Sequence, residues 1–145
     1  MEGFSQWPDD DYTDIVEDLK SDWERTKERA MRAGMTEQRL VFDPGFGFSK
    51  NEKHCFSLLG RLRELTTLGH PLLVGPGRKS FLGAVDGSGP NERLGATVAA
   101  SVLCAQAGAD ALRVHDVREV RQALRVWERT HSVGADARAG AALDG

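Results

Sequence analysis

Cysteine is scarce, and the two present, Cys55 and Cys104, lack the paired spacing of a zinc or redox motif. Both sit in apolar helical patterns, where buried free thiols are expected. No apolar run approaches the roughly 18 residues that a membrane-spanning helix requires. The N-terminus has neither the basic nor the apolar region of a secretory signal, which points to the cytoplasm. Positive charge is not in excess: 19 Lys and Arg stand against 22 Asp and Glu, a net −3, so non-specific nucleic-acid binding is disfavoured. One tyrosine against sixteen glycines implies many backbone turns and few aromatic platforms. Hairpin signals are missing, and so is any nucleophile–base pair at convincing spacing. His54, His70 and His131 are scattered and read as surface or capping residues.

Hydrophobic residues make up 40% of the 145 positions, enough for a core. Charge is distributed unevenly. Residues 1–24 hold nine acidic groups and only Lys20 as a basic one, a net −8, while the remainder carries +5. Carboxylates gathered at a helix start complement the positive end of the helix dipole.

After a loop over residues 1–11, apolar positions recur at helical spacing from about Tyr12 to Ala33, with Gly34 as the stop. Leu40-Val41-Phe42 is a short apolar run, cut off by Asp43-Pro44-Gly45, and reads as a buried strand. A glycine-rich loop over 43–52 leads to a helix from about Lys53 to Leu68. Pro71 to Gly75 is the next strand, followed by a long polar loop to about Gly89. The helix from about Asn91 to Ala107 is rich in small residues, which let it lie close against a sheet. Asp110 to Val114 is a third strand, and Val117 to about Thr130 a last helix. Residues 131–145, rich in Ala, Gly and Asp, read as a frayed, disordered tail. Strands alternating with helices imply parallel pairing and right-handed crossovers.

Polar residues gather at the carboxyl end of each strand: Asp43 with the loop through Asn51, then Arg78-Lys79-Ser80, then Arg113, His115 and Asp116. In parallel α/β folds these ends form one rim, where ligands bind. Arg113 and His115 are two apart, so they project together and suit a phosphate or pyrophosphate. An Arg113–Asp116 ion pair, with His115 capping a helix, is the structural alternative. Arg78, Lys79 and Ser80 add two cations and a hydroxyl, or else form a solvated basic turn. Asp43 can accept paired N–H groups from an amino-heterocycle, or serve the turn with Pro44. Phe46 and Phe48, flanking Gly47, can cover an aromatic ligand or pack in the core. Two motifs fail. Arg78 stands where a P-loop needs glycine before Lys79, and Lys50 occupies the third glycine position of a dinucleotide fingerprint. From the residues, the ligand is anionic and carries a flat ring with N–H groups.

Phe42-Asp43-Pro44-Gly45-Phe46-Gly47-Phe48-Ser49-Lys50-Asn51, Leu72-Leu73-Val74-Gly75 through Arg78-Lys79-Ser80-Phe81-Leu82-Gly83, Glu92-Arg93-Leu94, and Leu112-Arg113-Val114-His115-Asp116-Val117 together resemble dihydropteroate synthase, in order and spacing. The resemblance implies a (β/α)₈ barrel, of which residues 1–130 would be an incomplete C-terminal part with about three parallel strands and covering helices. It implies condensation of p-aminobenzoate with dihydropterin pyrophosphate, giving dihydropteroate and pyrophosphate for folate synthesis. On that resemblance Asp43 binds the pterin N–H edge. Lys79 contacts the ring. Arg113 packs over the pterin and holds pyrophosphate with His115. Ser80 takes the p-aminobenzoate carboxylate, and Gly47 and Phe48 line the pocket where sulfonamides compete. Lys79, Arg113 and His115 are the expected catalytic groups. Mg²⁺ is implied as cofactor, with its ligand in the absent N-terminal half, and a homodimer is implied for the full-length enzyme. A complete barrel of this type needs about 250 residues, and Met1-Glu2-Gly3 resembles the end of the family's fifth strand. The isolated chain is therefore expected to be inactive. The alternative is a non-catalytic half-barrel that binds a pterin or phosphate ligand or assembles with a partner half.

Overall fold

The computed structural model describes residues 12–141, with side chains through residue 132. The loop expected over 1–11, the Met1–Gly3 strand end and residues 142–145 lie outside the described residues.

Helix α1, Ile15–Arg32, starts where Asp14 caps it by accepting the Val16 and Glu17 amides. Asp18 reaches back to the Thr13 and Asp14 amides, so two acidic residues satisfy the first turn's orphan donors. Later acids on the helix pair with Lys20, Lys27 and Arg32 along its exposed face. Ile15, Val16, Leu19 and Trp23 are buried. The part of the acidic run within the described residues therefore belongs to the helix start and its solvated face, as expected; Glu2, Asp9, Asp10 and Asp11 lie outside them.

Three parallel strands are expected from the sequence; among the described residues two form. β1, Leu73–Val74, pairs in parallel with β2, Ala111–Leu112. The Leu40–Phe42 run is reduced to a single parallel bridge between Phe42 and Leu72, made by the Phe42 amide to Pro71 O at 2.9 Å and the Leu73 amide to Phe42 O at 2.8 Å. Its ladder is pinched from both sides. Leu40 closes a 3₁₀ turn, Glu37–Arg39, and the next residue after Asp43 is Pro44, which has no N–H to donate.

The helix expected over 53–68 breaks in two. α2, Glu52–Gly60, is capped by Asn51 and His54 in a reciprocal box. It ends at Arg61, and Leu62–Leu68 continues as a 3₁₀ helix. Gly60 weakens the helix there, and the hydroxyls of Thr66 and Thr67 take up the Arg63 and Glu64 carbonyls. Arg61 itself binds Glu64 at 2.8 and 2.9 Å and reaches Asp14, the α1 cap, at 2.9 Å. One guanidinium thus ties the break to the start of α1. The apolar face survives the change of helix type, with Leu62 and Leu65 buried.

The long loop after β1 contains a short helix that the sequence pattern does not show, α3, Ser80–Gly83. α4, Leu94–Ala107, lays Thr97, Ala100, Ser101 and Cys104 against the core, confirming the small-residue face. Cys55 and Cys104 are both free and buried, and burial pushes the Cys104 thiol up to about 12. α5 runs Val117–Ala141, well past the end expected near Thr130. The alanines at 135, 137, 139 and 141 have the highest helix propensity of any residue, which outweighs the missing amphipathic stripe. The backbone is thus helical through 141, where a frayed tail is expected from composition.

The core predicts a clear contrast in stability. Leu62→Ala removes a fully buried side chain and is expected to cost about 2–5 kcal/mol in urea unfolding. Val41→Ala, at a position 52% exposed, is expected to change stability by less than about 0.5 kcal/mol. Equal losses at the two positions would contradict this placement of the core.

Candidate functional site

The 43–51 loop is built on glycines. Asp43 Oδ1 accepts the Gly45 amide at 2.8 Å, and the Phe48 amide returns to Gly45 O at 3.1 Å. The turn role of Asp43 is therefore realised at one oxygen. Oδ2 has no hydrogen-bond partner among the described residues, and the residue is exposed. Gly47 has φ +71°, and a Cβ there would meet Lys79 Cδ at 3.2 Å, so both conformation and space select glycine. The two flanking phenylalanines divide the alternatives open to them. Phe46 is 1% exposed and stacks on Phe81 in the core. Phe48 is 60% exposed, with the Lys79 ammonium 4.0 Å from its ring centroid.

Arg78 has a left-handed backbone, φ 58°, and is held from four directions. Its guanidinium binds both Asp116 oxygens, at 3.0 and 2.5 Å, and reaches Asn91 at 3.3 Å. Its amide donates to Thr97 Oγ1, and its carbonyl accepts from Arg93. The Arg93 guanidinium lies where a Cβ on Gly83 would stand. The Glu92-Arg93-Leu94 and Phe81-Leu82-Gly83 segments are therefore one packing unit. Two results follow. Arg78 is a structural clamp and not one of two ligand cations. Asp116 is taken by Arg78, not by Arg113.

Arg113 donates its amide to Val74 O at 2.9 Å, which continues the sheet one residue past β2. Exposure alternates onward: Arg113 and His115 are exposed, Val114 is partly buried and faces Gly77. Neither Arg113 nor His115 has a side-chain hydrogen bond or ion pair among the described residues. The Lys79 ammonium is pulled down by burial and then by the charge of Arg113, and Asp43 opposes this. Asp43, Gly47, Phe48, Lys79 and Arg113 thus share one electrostatic neighbourhood. Ser80 opens on its flank into a cavity of about 350 Å³ bordered also by Lys50, Asn51, Lys53 and Phe81.

His115 is placed by the strand's alternation; no contact joins it to Lys79. His54 caps α2, and His131 is exposed on α5. His70 departs from the surface expectation: its side chain is 6% exposed, edge-on to Trp23 and 3.4 Å from Glu37. Lys50, 8% exposed, is a buried cation that the spacing argument passes over. Among the described residues no three His, Cys, Asp or Glu groups converge. No helix among them is long and apolar enough to cross a membrane.

The fold and site define a class: a parallel α/β unit whose strand ends present cations with no ion-paired carboxylate among the described residues, beside an open carboxylate oxygen. The sequence places it within that class. Residues 3–115 match the family described as pterin binding enzyme, and the chain belongs to that family. It is 43% identical over 121 residues to dihydropteroate synthase of Escherichia coli K12, covering 83% of this chain and 43% of that one. The solved Xanthomonas albilineans dihydropteroate synthase in complex with 7,8-dihydropteroate is 38% identical, with a TM-score of 0.81 over 87% of this chain and 48% of that one. The Thermus thermophilus enzyme in complex with 4-aminobenzoate is 44% identical, with a TM-score of 0.77 over 83% and 49%. The chain spans a little under half the length of these relatives.

The Arg78 clamp predicts a pH dependence. Arg78 holds the Asp116 carboxyl below its ordinary value. A lowered folded pKa contributes stability above the unfolded carboxylate range and loses it as pH falls through the folded value. The unfolding free energies of the wild type and Asp116→Asn should differ most near neutral pH. The gap should close below the carboxylate range; a pH-independent gap would contradict the link.

Proposed function

We propose that this chain carries the pterin, pyrophosphate and arylamine contacts of a dihydropteroate synthase. The observation that supports this most is the pairing of Lys79 with Arg113, two cations in one neighbourhood with no carboxylate ion-paired to either among the described residues. Like charges held together are stabilised when an anion arrives. The ring half of the ligand has matching partners in the open Asp43 oxygen and the exposed Phe48 face.

In this reading the bond between the pterin methylene carbon and the pyrophosphate oxygen breaks, and the electron pair leaves with pyrophosphate. Arg113 and His115 stabilise that leaving charge. Asp43 holds the pterin N–H edge, and Lys79 lies against the ring. The p-aminobenzoate nitrogen attacks the methylene carbon through its lone pair and then loses a proton to solvent water, giving dihydropteroate. Ser80 binds the carboxylate of the arylamine, with Gly47 and Phe48 forming the pocket wall. No covalent enzyme intermediate is required, consistent with the missing nucleophile–base pair. In this reading the rim residues follow the Phe42 bridge, β1 and β2, and a (β/α)₈ barrel closes with eight strands. The 145 residues alone therefore bind without turning over.

Calorimetry with pyrophosphate tests the anion role. Arg113→Ala is expected to weaken binding by about 1.5–3 kcal/mol, the value of one charged hydrogen-bonding group. Unchanged binding would remove Arg113 from the site. Incubating the purified chain with dihydropterin pyrophosphate and p-aminobenzoate is expected to yield no dihydropteroate; product formation would overturn the division between binding and turnover.

A further inference from the structure

We infer that Lys50 is a positioning residue of this site: its buried ammonium holds the Phe48 carbonyl and thereby keeps the Phe48 ring over Lys79. The consequence for a ligand rests on the arylamine reading above; the contact itself does not.

Lys50 is 8% exposed. Its Nζ donates to Phe48 O at 3.2 Å and lies 5.6 Å from the centroid of the Tyr12 ring, on the electron-rich face. A Cβ on Gly45 would stand 3.6 Å from it. No carboxylate comes within ion-pair distance of it among the described residues. Burial depresses this ammonium, opposed by the charges of Cys55, Asp43 and Asp22. An unpaired buried cation is costly, and an apolar side chain of similar length would avoid that cost. What the ammonium alone provides is a donor aimed at the loop's own backbone.

The loop needs such a donor. Between Phe46, locked in the core, and Asn51, locked as the α2 cap, the backbone takes left-handed conformations at Gly47 and Ser49. Ser49, with φ 51°, is not glycine and carries backbone strain. That bend folds the Lys50 side chain back beneath the loop onto the carbonyl two residues earlier. The tether opposes relaxation of Ser49 and fixes the peptide that carries Phe48. Phe48 itself is 60% exposed, so core packing does not hold it. Lys50 also borders the cavity that Ser80 opens into.

The test needs no ligand. In the wild-type chain, the Lys79 ε-methylene protons should be shifted upfield by the Phe48 ring, and Phe48→Leu defines the uncovered position. Lys50→Met is expected to move Lys79 to that uncovered position, and Lys50→Arg, which keeps a charged donor, to restore the upfield shift. An unchanged Lys79 signal in Lys50→Met would overturn the proposal. So would loss of the signal in both variants. A fold failure of Lys50→Met is covered by the wild type alone. There, the Lys50 NH₃⁺ nitrogen must give a slowly exchanging signal protected from water, and exchange as fast as at surface lysines would overturn it. Adding p-aminobenzoate separates the two readings. Lys50→Met should weaken it about tenfold, the equivalent of one charged hydrogen bond. If p-aminobenzoate binds neither protein while the Lys79 shift behaves as expected, the arylamine reading fails and the positioning role stands.

Discussion

The Asp116 carboxylate grips the Arg78 guanidinium with two hydrogen bonds, and the arrangement of the rim depends on that grip. It joins the loop after β1 to the start of α5, across 38 residues of sequence. It stabilises a left-handed backbone at Arg78, which turns the next residue, Lys79, toward Gly47 and Phe48. It also occupies the acid beyond the end of β2, so Arg113 and His115 face outward without an ion-paired carboxylate among the described residues. One ion pair thus both shapes the rim and leaves Lys79 and Arg113 without an ion-paired carboxylate among the described residues.

Around that clamp the packing is tight where the backbone must be held and open where chemistry is placed. Phe46, Phe81 and the small face of α4 anchor the loops from below. Thr97, fully buried, holds the Arg78 amide, and Arg93 holds the Arg78 carbonyl against Gly83. Phe48, Asp43, Arg113 and His115 project from this floor into solvent. Binding groups carried on well-packed supports lose little entropy when a ligand arrives.

Much of this could be read from residue order alone. The alternation of helices with short apolar runs predicts the parallel pairing of β1 and β2, and the clusters at Asp43, Lys79 and Arg113 predict where polar groups converge. Other features could not be read, for identifiable reasons. The break at Gly60-Arg61 leaves the apolar spacing of Leu59, Leu62 and Leu65 intact, because residues i and i+3 lie on one face in both α- and 3₁₀-helices. α3 is a single turn whose Phe81-Leu82 pair is hidden among glycines and charges. The Leu40–Phe42 run has strand composition, but its hydrogen bonding is cut short by the turn before it and the proline after it. The roles of the arginines and the lysine near the rim depend on which cation reaches Asp116. That is a matter of side-chain reach across the fold, on which sequence spacing is silent. Lys50 was invisible for the same reason: a lysine in a polar glycine loop reads as solvated until its burial is seen.

We propose that the rim separates a structural cation, Arg78, from binding cations, Lys79 and Arg113. The most direct measurement is a titration of the ¹⁵N-labelled chain with pyrophosphate, following the side-chain nitrogens of these three residues. The account predicts that the Lys79 and Arg113 signals move with ligand while the Arg78 signal stays where Asp116 holds it. Movement of Arg78 together with loss of its link to Asp116, or no response at Lys79 and Arg113, would contradict it.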